Sequence, residues 1–273
     1  MLATGWKKTS FWLDDVSPIQ NVSASVKSDV DVLVIGSGYT GLHAALQIAR
    51  AGREVLVVDA GDLGQGCSTR NGGQISTSVK PSHSMLTRKF GSQLATNIRQ
   101  EGEFALEWIE AFISEENINC DFSRCGRFHA AHSPEHYELL ARDAENLKKF
   151  ENIPSFIVPK KEQFGELGTD LYHGGVVFTR HASLHPAKYH QALLSLVARA
   201  GATLVGHCEA QRINKTNQGF EVSTVKGIIK CKHLVAATNG YTSGLTPWLK
   251  RRVIPIGSYI IATDEIQPDL MER

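Results

Sequence analysis

Apolar positions change rhythm several times along the chain, and each change predicts an element. Residues 1–29 keep no steady period. Trp6, Phe11 and Trp12 sit among polar residues, and Pro18, Ser23, Ser25 and Ser28 follow. This stretch reads as an arm laid over the body, with its aromatics as anchors. At Val30 the texture changes. Val30–Ile35 is a short β-branched run, the pattern of a strand buried on both faces of a parallel sheet. From Thr40 to Ala51, Leu42, Ala45, Leu46 and Ala49 recur at helical spacing until Gly52 stops them. Glu54–Asp59 is a second buried strand. Strand, helix and strand in about 30 residues make a βαβ unit.

Beyond it, Gly61–Ser78 is too polar for a core element and too long for a simple turn, the profile of a functional loop. Helical spacing returns at about 92–115 (Leu94, Ile98, Leu106, Ile109, Ile113) and about 134–150, where Pro134 takes the first helical position. Gly174–Thr179 reads as a strand, Pro186–Ala200 as a helix closed by Gly201, and Thr203–Val205 as a strand. Phe220–Val225 and Gly227–Lys230 suggest a hairpin. His233–Thr238 is a third buried strand, and Val253–Thr263 begins another. No internal repeat or low-complexity tract interrupts this order.

Composition narrows the function classes. The 273 residues are 42% hydrophobic and 21% charged, which excludes wholesale disorder. With 29 Lys and Arg against 28 Asp and Glu, the chain has no electrostatic footprint for nucleic acid or an anionic membrane. No stretch approaches the roughly 18–20 apolar residues of a membrane span. Five scattered cysteines (Cys67, Cys120, Cys125, Cys208, Cys231) form no CxxC pair and no zinc-type cluster. They read as reduced thiols, so the expected location is cytoplasmic. His181, His185 and His190 have a spacing that suits no standard metal site, and no metal is expected. His83 and Lys80 read as solvated loop residues. No nucleophile elbow supports hydrolysis.

Gly36-Ser37-Gly38-Tyr39-Thr40-Gly41 is a GxGxxG sequence in its required setting. A buried strand leads in, a helix leads out, and Asp59 ends the next strand 23 residues after Gly36. Gly36 permits the tight turn, Gly38 lets backbone approach a pyrophosphate, and Gly41 lets the helix pack closely on the strand. The helix N-terminus at Tyr39 and Thr40 presents unpaired N–H groups to phosphate. Asp59, followed by Ala60, can accept hydrogen bonds from the ribose hydroxyls of an adenosine and would repel a 2′-phosphate. This is a dinucleotide site, and the fingerprint alone does not choose between FAD and NAD.

The next segment, Leu63-Gly64-Gln65-Gly66-Cys67-Ser68-Thr69-Arg70-Asn71-Gly72-Gly73-Gln74, resembles the loop after the first βαβ unit in the D-amino-acid oxidase-like family of FAD-dependent oxidoreductases. The resemblance implies FAD as cofactor, with this loop under the ribityl chain and against the isoalloxazine ring. It makes Ser68, Thr69, Arg70, Asn71, Gly72, Gly73 and Gln74 candidate flavin contacts. Leu184-His185-Pro186 and Arg199–Leu204 match the family's return to the nucleotide-binding sheet. Cys208-Glu209-Ala210 falls at the adenine edge, which carries over Ala210. Val235–Thr242 resembles the strand and loop that return to FAD, which carries over Ala237, Thr238 and Gly240. Arg252–Tyr259 matches the start of the substrate-domain sheet. The likeness runs from about Trp6 to Thr263 and is closest to the gamma-glutamylputrescine oxidoreductase-like branch, whose members oxidise amines.

The resemblance therefore implies an α/β fold, a Rossmann-like (glutathione-reductase-type) FAD domain with an incomplete α+β substrate domain. Its plan is an arm at 1–29, a first FAD-binding segment at 30–85, and an inserted substrate or helical region at 86–184. A second FAD-binding segment at 185–250 follows, and 251–273 starts the substrate-domain sheet. The expected reaction oxidises the C–N bond of a small amine or amino acid, and no residue is named as catalytic. Some relatives tether flavin through cysteine, but their tethering positions are not matched at Cys67. Family members carry a further C-terminal segment, so a separately encoded C-terminal half stands as a candidate partner. A flavin-binding remnant without turnover is the alternative reading. An NAD-linked dehydrogenase is a third, against which the Arg70–Gly73 loop argues.

Overall fold

The computed structural model describes residues 7, 9–17, 25–151, 154–263 and 265–271. After a 3-10 turn at Phe11–Asp15, the elements in chain order are β1 (Asp29–Ile35), α1 (Tyr39–Arg50), β2 (Val55–Val58), β3 (Gln74–Ile75), α2 (His83–Phe90), α3 (Ser92–Glu115), β4 (Arg127–Ala130) and α4 (Pro134–Glu151). They continue with β5 (Ser155–Val158), β6 (Gly175–Phe178), β7 (Ala182–Ser183), α5 (Pro186–Arg199), β8 (Thr203–Val205), β9 (Ala210–Thr216), β10 (Gly219–Thr224) and β11 (Gly227–Ala236). Two single-turn helices close the order, α6 (Pro247–Lys250) and α7 (Pro268–Met271). Trp6, Pro18 and Ser23 of the arm lie outside the described residues. No helix among the described residues is long and apolar enough to cross a membrane.

The chain forms two compact units. The first takes the chain up to Gly72 together with Pro186–Ala262; the second takes Gly73–His185 and the residues from Thr263 on. Residues 73–85, placed by the sequence with the first FAD-binding segment, thus belong to the second unit.

The first unit is built on a six-stranded sheet in the order β8-β2-β1-β11-β10-β9. Parallel pairing sets Val32 opposite Val55, Ile35 opposite Val58 and Ala236, and Leu56 opposite Thr203. The apolar runs of β1, β2 and β8 suit this position, because crossover helices cover parallel strands. Leu33, Val34, Leu56 and Val57 are fully buried. Helices α1 and α5 pack on each other, with Tyr39 and Tyr189 edge-on at 5.4 Å and His43 Nε2 2.8 Å from the Tyr189 hydroxyl.

Three expectations are corrected here. The second hairpin strand and the third buried strand are one element, β11. It runs antiparallel to β10 over Gly227–Cys231 and parallel to β1 over Lys230–Ala236. No glycine or proline breaks the chain between these stretches, and a strand has two edges to pair. The later part of β11 is also less covered than predicted, with Val235 half-buried and His233 exposed, because α1 lies chiefly over β1 and β2. The strand expected at Val253–Thr263 does not form. Ile254, Ile256, Tyr259 and Ile261 are 84%, 86%, 93% and 89% exposed. A strand needs a neighbour to satisfy its ladder, and no strand among the described residues pairs with this segment.

The second unit holds an antiparallel sheet, β4-β6-β5, and the short pair β3–β7, with helices α2, α3 and α4. Both long helices occur where periodicity placed them. On α3 the buried face is Ala95, Leu106, Phe112 and Ile113, while Leu94 is exposed. His83 opens α2, a helix that the polar sequence after the loop did not announce.

Candidate dinucleotide site

The turn between β1 and α1 has the geometry its three glycines permit. Gly36 sits at φ +106°, and a Cβ there would lie 2.5 Å from the Ala237 carbonyl oxygen. A Cβ on Gly41 would lie 2.0 Å from the Gly36 carbonyl oxygen, so only glycine lets the first turn of α1 rest on the end of β1. Gly38 caps α1 in an extended conformation, and a Cβ there would stand 3.0 Å from Ser68 Oγ. The Tyr39 N–H donates to that Ser68 oxygen at 3.0 Å. The N–H groups of Thr40 and Gly41 have no acceptor among the described residues. These are the orphan donors of a helix N-terminus, where an anion is stabilised. The Tyr39 side chain points elsewhere: its hydroxyl donates to the Pro186 carbonyl at 3.1 Å, so Tyr39 offers a ligand its backbone alone.

Asp59 ends β2 beside this turn. Its Oδ2 accepts the Ser37 N–H at 2.8 Å and the Ser37 hydroxyl at 2.6 Å, and its Oδ1 accepts the Gly61 N–H at 3.3 Å. Oδ1, with one long bond, is the freer oxygen for a ribose. The Asp59 carbonyl accepts the Cys208 N–H at 2.7 Å, which brings the segment leading to Ala210 alongside. Ala210 is buried at the start of β9, and Ala60 is exposed next to Asp59.

Ser37, an "x" of the GxGxxG motif, went unnoticed in the sequence yet is fully buried and joins three segments. Its hydroxyl accepts the Gly64 N–H at 2.9 Å while donating to Asp59. Its carbonyl accepts a hydrogen bond from His190 Nε2 of α5 at 2.6 Å, which fixes the proton on that nitrogen. Burial pushes the His190 imidazole below its ordinary range, partly opposed by this bond and by the Asp59 charge. Gly64, at φ +81°, packs against the ring so closely that a Cβ would sit 2.1 Å from Cε1. Residue spacing gives no hint of this contact, since 153 positions separate Ser37 and His190.

The loop after Gly64 folds on itself. Thr69 is buried, and its hydroxyl donates to the Gly64 carbonyl at 2.6 Å. Arg70 Nε donates to the Gln65 carbonyl at 2.6 Å, and the Asn71 amide donates to the Cys67 and Ser68 carbonyls, each at 3.1 Å. Gly72 is exposed at the end of the first unit. Gly73 and Gln74 begin the second unit, where Gln74 pairs with Ser183. The third loop follows β11. The Ala237 N–H donates to the Ile35 carbonyl at 2.8 Å, the Thr238 and Thr242 hydroxyls are 2.8 Å apart, and Gly240 lies in the 3-10 turn Asn239–Tyr241. The Tyr241 hydroxyl is 3.4 Å from the exposed Cys67 thiol, and a Cβ on Gly66 would touch the tyrosine ring at 3.2 Å. The first unit thus gathers residues 36–41, 59–72 and 237–241.

The sequence candidates His83, His181 and His185 belong to the second unit. His181 stacks on Phe178, and the His185 N–H donates to the Cys120 carbonyl, both in the second unit. His83 lies against Thr87 and Thr96. None of the five cysteines is in a disulfide.

This site fits the adenosine and pyrophosphate of a dinucleotide by its own chemistry. Gly38 leaves the approach to the helix free of a Cβ, two backbone donors and the Ser68 hydroxyl face it, and a carboxylate stands at the end of the adjacent strand. Comparison with known proteins agrees. Residues 31–273 match the family described as FAD dependent oxidoreductase. The chain is 31% identical over 234 residues to the probable oxidoreductase OrdL of Rhizobium meliloti (strain 1021), covering 85% of this chain and 54% of that protein. It is 27% identical over 255 residues to the gamma-glutamylputrescine oxidoreductase of Escherichia coli (strain K12), covering 93% and 59%. The chain therefore spans little more than half the length of these relatives. A crystal structure of glycine oxidase from Geobacillus kaustophilus shares the fold, with a TM-score of 0.69 at 19% identity over 80% of this chain and 58% of that one.

Proposed function

The chain belongs to the FAD dependent oxidoreductase family, and on that premise we propose that its first unit holds FAD and serves the oxidation of a C–N bond in a small amine or amino acid. The observation that carries this reading is the glycine turn, with two unpaired helix N–H groups and a carboxylate ending the next strand. In it, the Thr40 and Gly41 N–H groups and the Ser68 hydroxyl bind the pyrophosphate, and Asp59 Oδ1 receives a ribose hydroxyl. Ala60 and Ala210 border the adenine. The backbone around Gly36, Gly38, Tyr39 and Ala237, with Thr238 and Gly240, walls the phosphate side. Ser68, Thr69, Arg70, Asn71, Gly72, Gly73 and Gln74 form the stretch that meets the flavin, Thr69 through its backbone because its side chain is turned inward.

When bound, FAD supplies the two-electron acceptor for hydride lost from the substrate carbon next to nitrogen. The oxidised substrate would be an imine that water would hydrolyse, with oxygen or another acceptor taking the electrons. The chain's own residues bind and orient; none is assigned a proton-transfer step. That no disulfide joins the five cysteines supports a cytoplasmic setting.

One observation favours a second reading, in which the chain needs a further polypeptide to turn over. The apolar residues Ile254, Ile256, Tyr259 and Ile261 are almost wholly exposed, the state of a segment whose covering partner belongs elsewhere. A visible spectrum separates the readings. A bound flavin band bleached by an added amine supports the first, and a bound band that no amine bleaches supports the second. A colourless chain that added FAD cannot restore overturns the first.

A further inference from the structure

The arm before β1 is fastened to the flavin-facing loop at two points. The Ser10 hydroxyl donates to the Thr69 carbonyl at 2.6 Å, and Trp12 Nε1 donates to the Asn71 carbonyl at 2.9 Å. At its other end the arm is held on α5, where the Gln191 side-chain amide donates to the Ser17 carbonyl. The 3-10 turn at Phe11–Asp15 sets these donors, and Phe11 lies edge-on to Trp12 at 5.6 Å.

We propose that Ser10 and Trp12 are positioning residues for the cofactor, acting through the loop backbone. A peptide unit is planar, with its C=O and the following N–H pointing in opposite directions. Pinning the Asn71 carbonyl on the arm side therefore aims the Gly72 N–H away from the arm. That N–H has no partner among the described residues, and Gly72 is exposed. Pinning the Thr69 carbonyl likewise sets the Arg70 N–H, which closes the turn onto the Cys67 carbonyl at 3.1 Å. The segment Gly64–Gly73 contains four glycines and would lose much backbone freedom on gripping a ligand. Two anchors from a distant part of the chain order it beforehand, and preorganisation lowers the cost of binding.

This inference rests on the FAD reading above, and its test separates the two. FAD is titrated with the purified chain, following flavin fluorescence, for wild type, Ser10→Thr, Ser10→Ala, Trp12→Phe and the Ser10→Ala/Trp12→Phe double variant. Far-UV circular dichroism verifies folding, and amide exchange is followed across 69–72 and across β1. Losing two hydrogen bonds is expected to weaken FAD binding about tenfold in the double variant. Each single change should weaken it less, and Ser10→Thr, which keeps the hydroxyl, should bind as wild type does. Exchange should quicken at 69–72 and stay unchanged in β1, a local signature that general destabilisation would not give. Wild-type binding with equal affinity in the double variant overturns the role of the arm and leaves the FAD reading standing. A wild-type chain that does not bind FAD overturns both.

Discussion

Two apolar stretches of this chain read alike in the sequence and end in opposite states. Val30–Ile35 becomes β1, with a parallel neighbour on each edge and Leu33 and Val34 wholly buried. Val253–Thr263, also rich in β-branched residues, forms no strand and pairs with none among the described residues, and Ile254, Ile256 and Ile261 are exposed. Strand propensity is a fit to a surface and not a property of the backbone alone. β1 has β2, β11 and α1 to complete it, and among the described residues no strand pairs with 253–263. The glycine turn grows out of the paired strands, while 253–262 belongs to the same unit without joining its sheet.

That contrast can be broken by substitution. The strongest effect is expected from Gly41→Leu, whose side chain would start 2.0 Å from the Gly36 carbonyl oxygen. It should cost about 4 kcal/mol or more and abolish FAD binding, measured by urea denaturation and flavin titration. Leu33→Ala, emptying a fully buried site in β1, should cost about 2–5 kcal/mol in the same denaturation experiment. Ser37→Ala should cost about 1–3 kcal/mol, because the Gly64 N–H loses its acceptor and Asp59 loses a donor. Ile256→Ala, at a site 86% exposed, should change stability by no more than about 0.5 kcal/mol. If Ile256→Ala costs as much as Leu33→Ala, the contrast is wrong.

Acid sharpens the same comparison. Burial lowers the pKa of His190 and of His43 from the ordinary 6.5. Between that value and the lower folded-state one, the unfolded chain binds more protons than the folded chain. Stability therefore falls as pH drops below about 6.5, and levels off once the folded histidines also protonate. Denaturation midpoints measured across this range should show the slope. His190→Gln, which keeps a donor toward the Ser37 carbonyl and does not titrate, should make it shallower, with His43 still contributing.

Much of the first unit was legible in the sequence because its demands are local. Gly36 and Gly41 answer to an atom just past the neighbouring strand or a few residues away, and helical spacing with its stop and start signals placed α1, α3, α4 and α5. The rest depends on pairing at a distance. Neither the merger of the hairpin and the return strand into β11 nor the failure of 253–263 can be read without knowing which edges are taken. β4, β5 and β9 carry patterns too short or too mixed to stand out. Ser37 and His190 meet across 153 residues, and Trp12 meets Asn71 across 59. Side-chain direction was hidden as well. Tyr39 and Thr69 lie in the expected loops, yet each turns its hydroxyl into the protein.

The central claim is that the first unit holds a dinucleotide by its adenosine and pyrophosphate. Equilibrium dialysis of the purified chain against FAD and, separately, against flavin mononucleotide tests it most directly. FAD should bind at one per chain, and the mononucleotide, which lacks the adenosine placed beside Asp59, should bind about tenfold more weakly or worse. Equal affinity for the two, or no binding of FAD, would contradict the account.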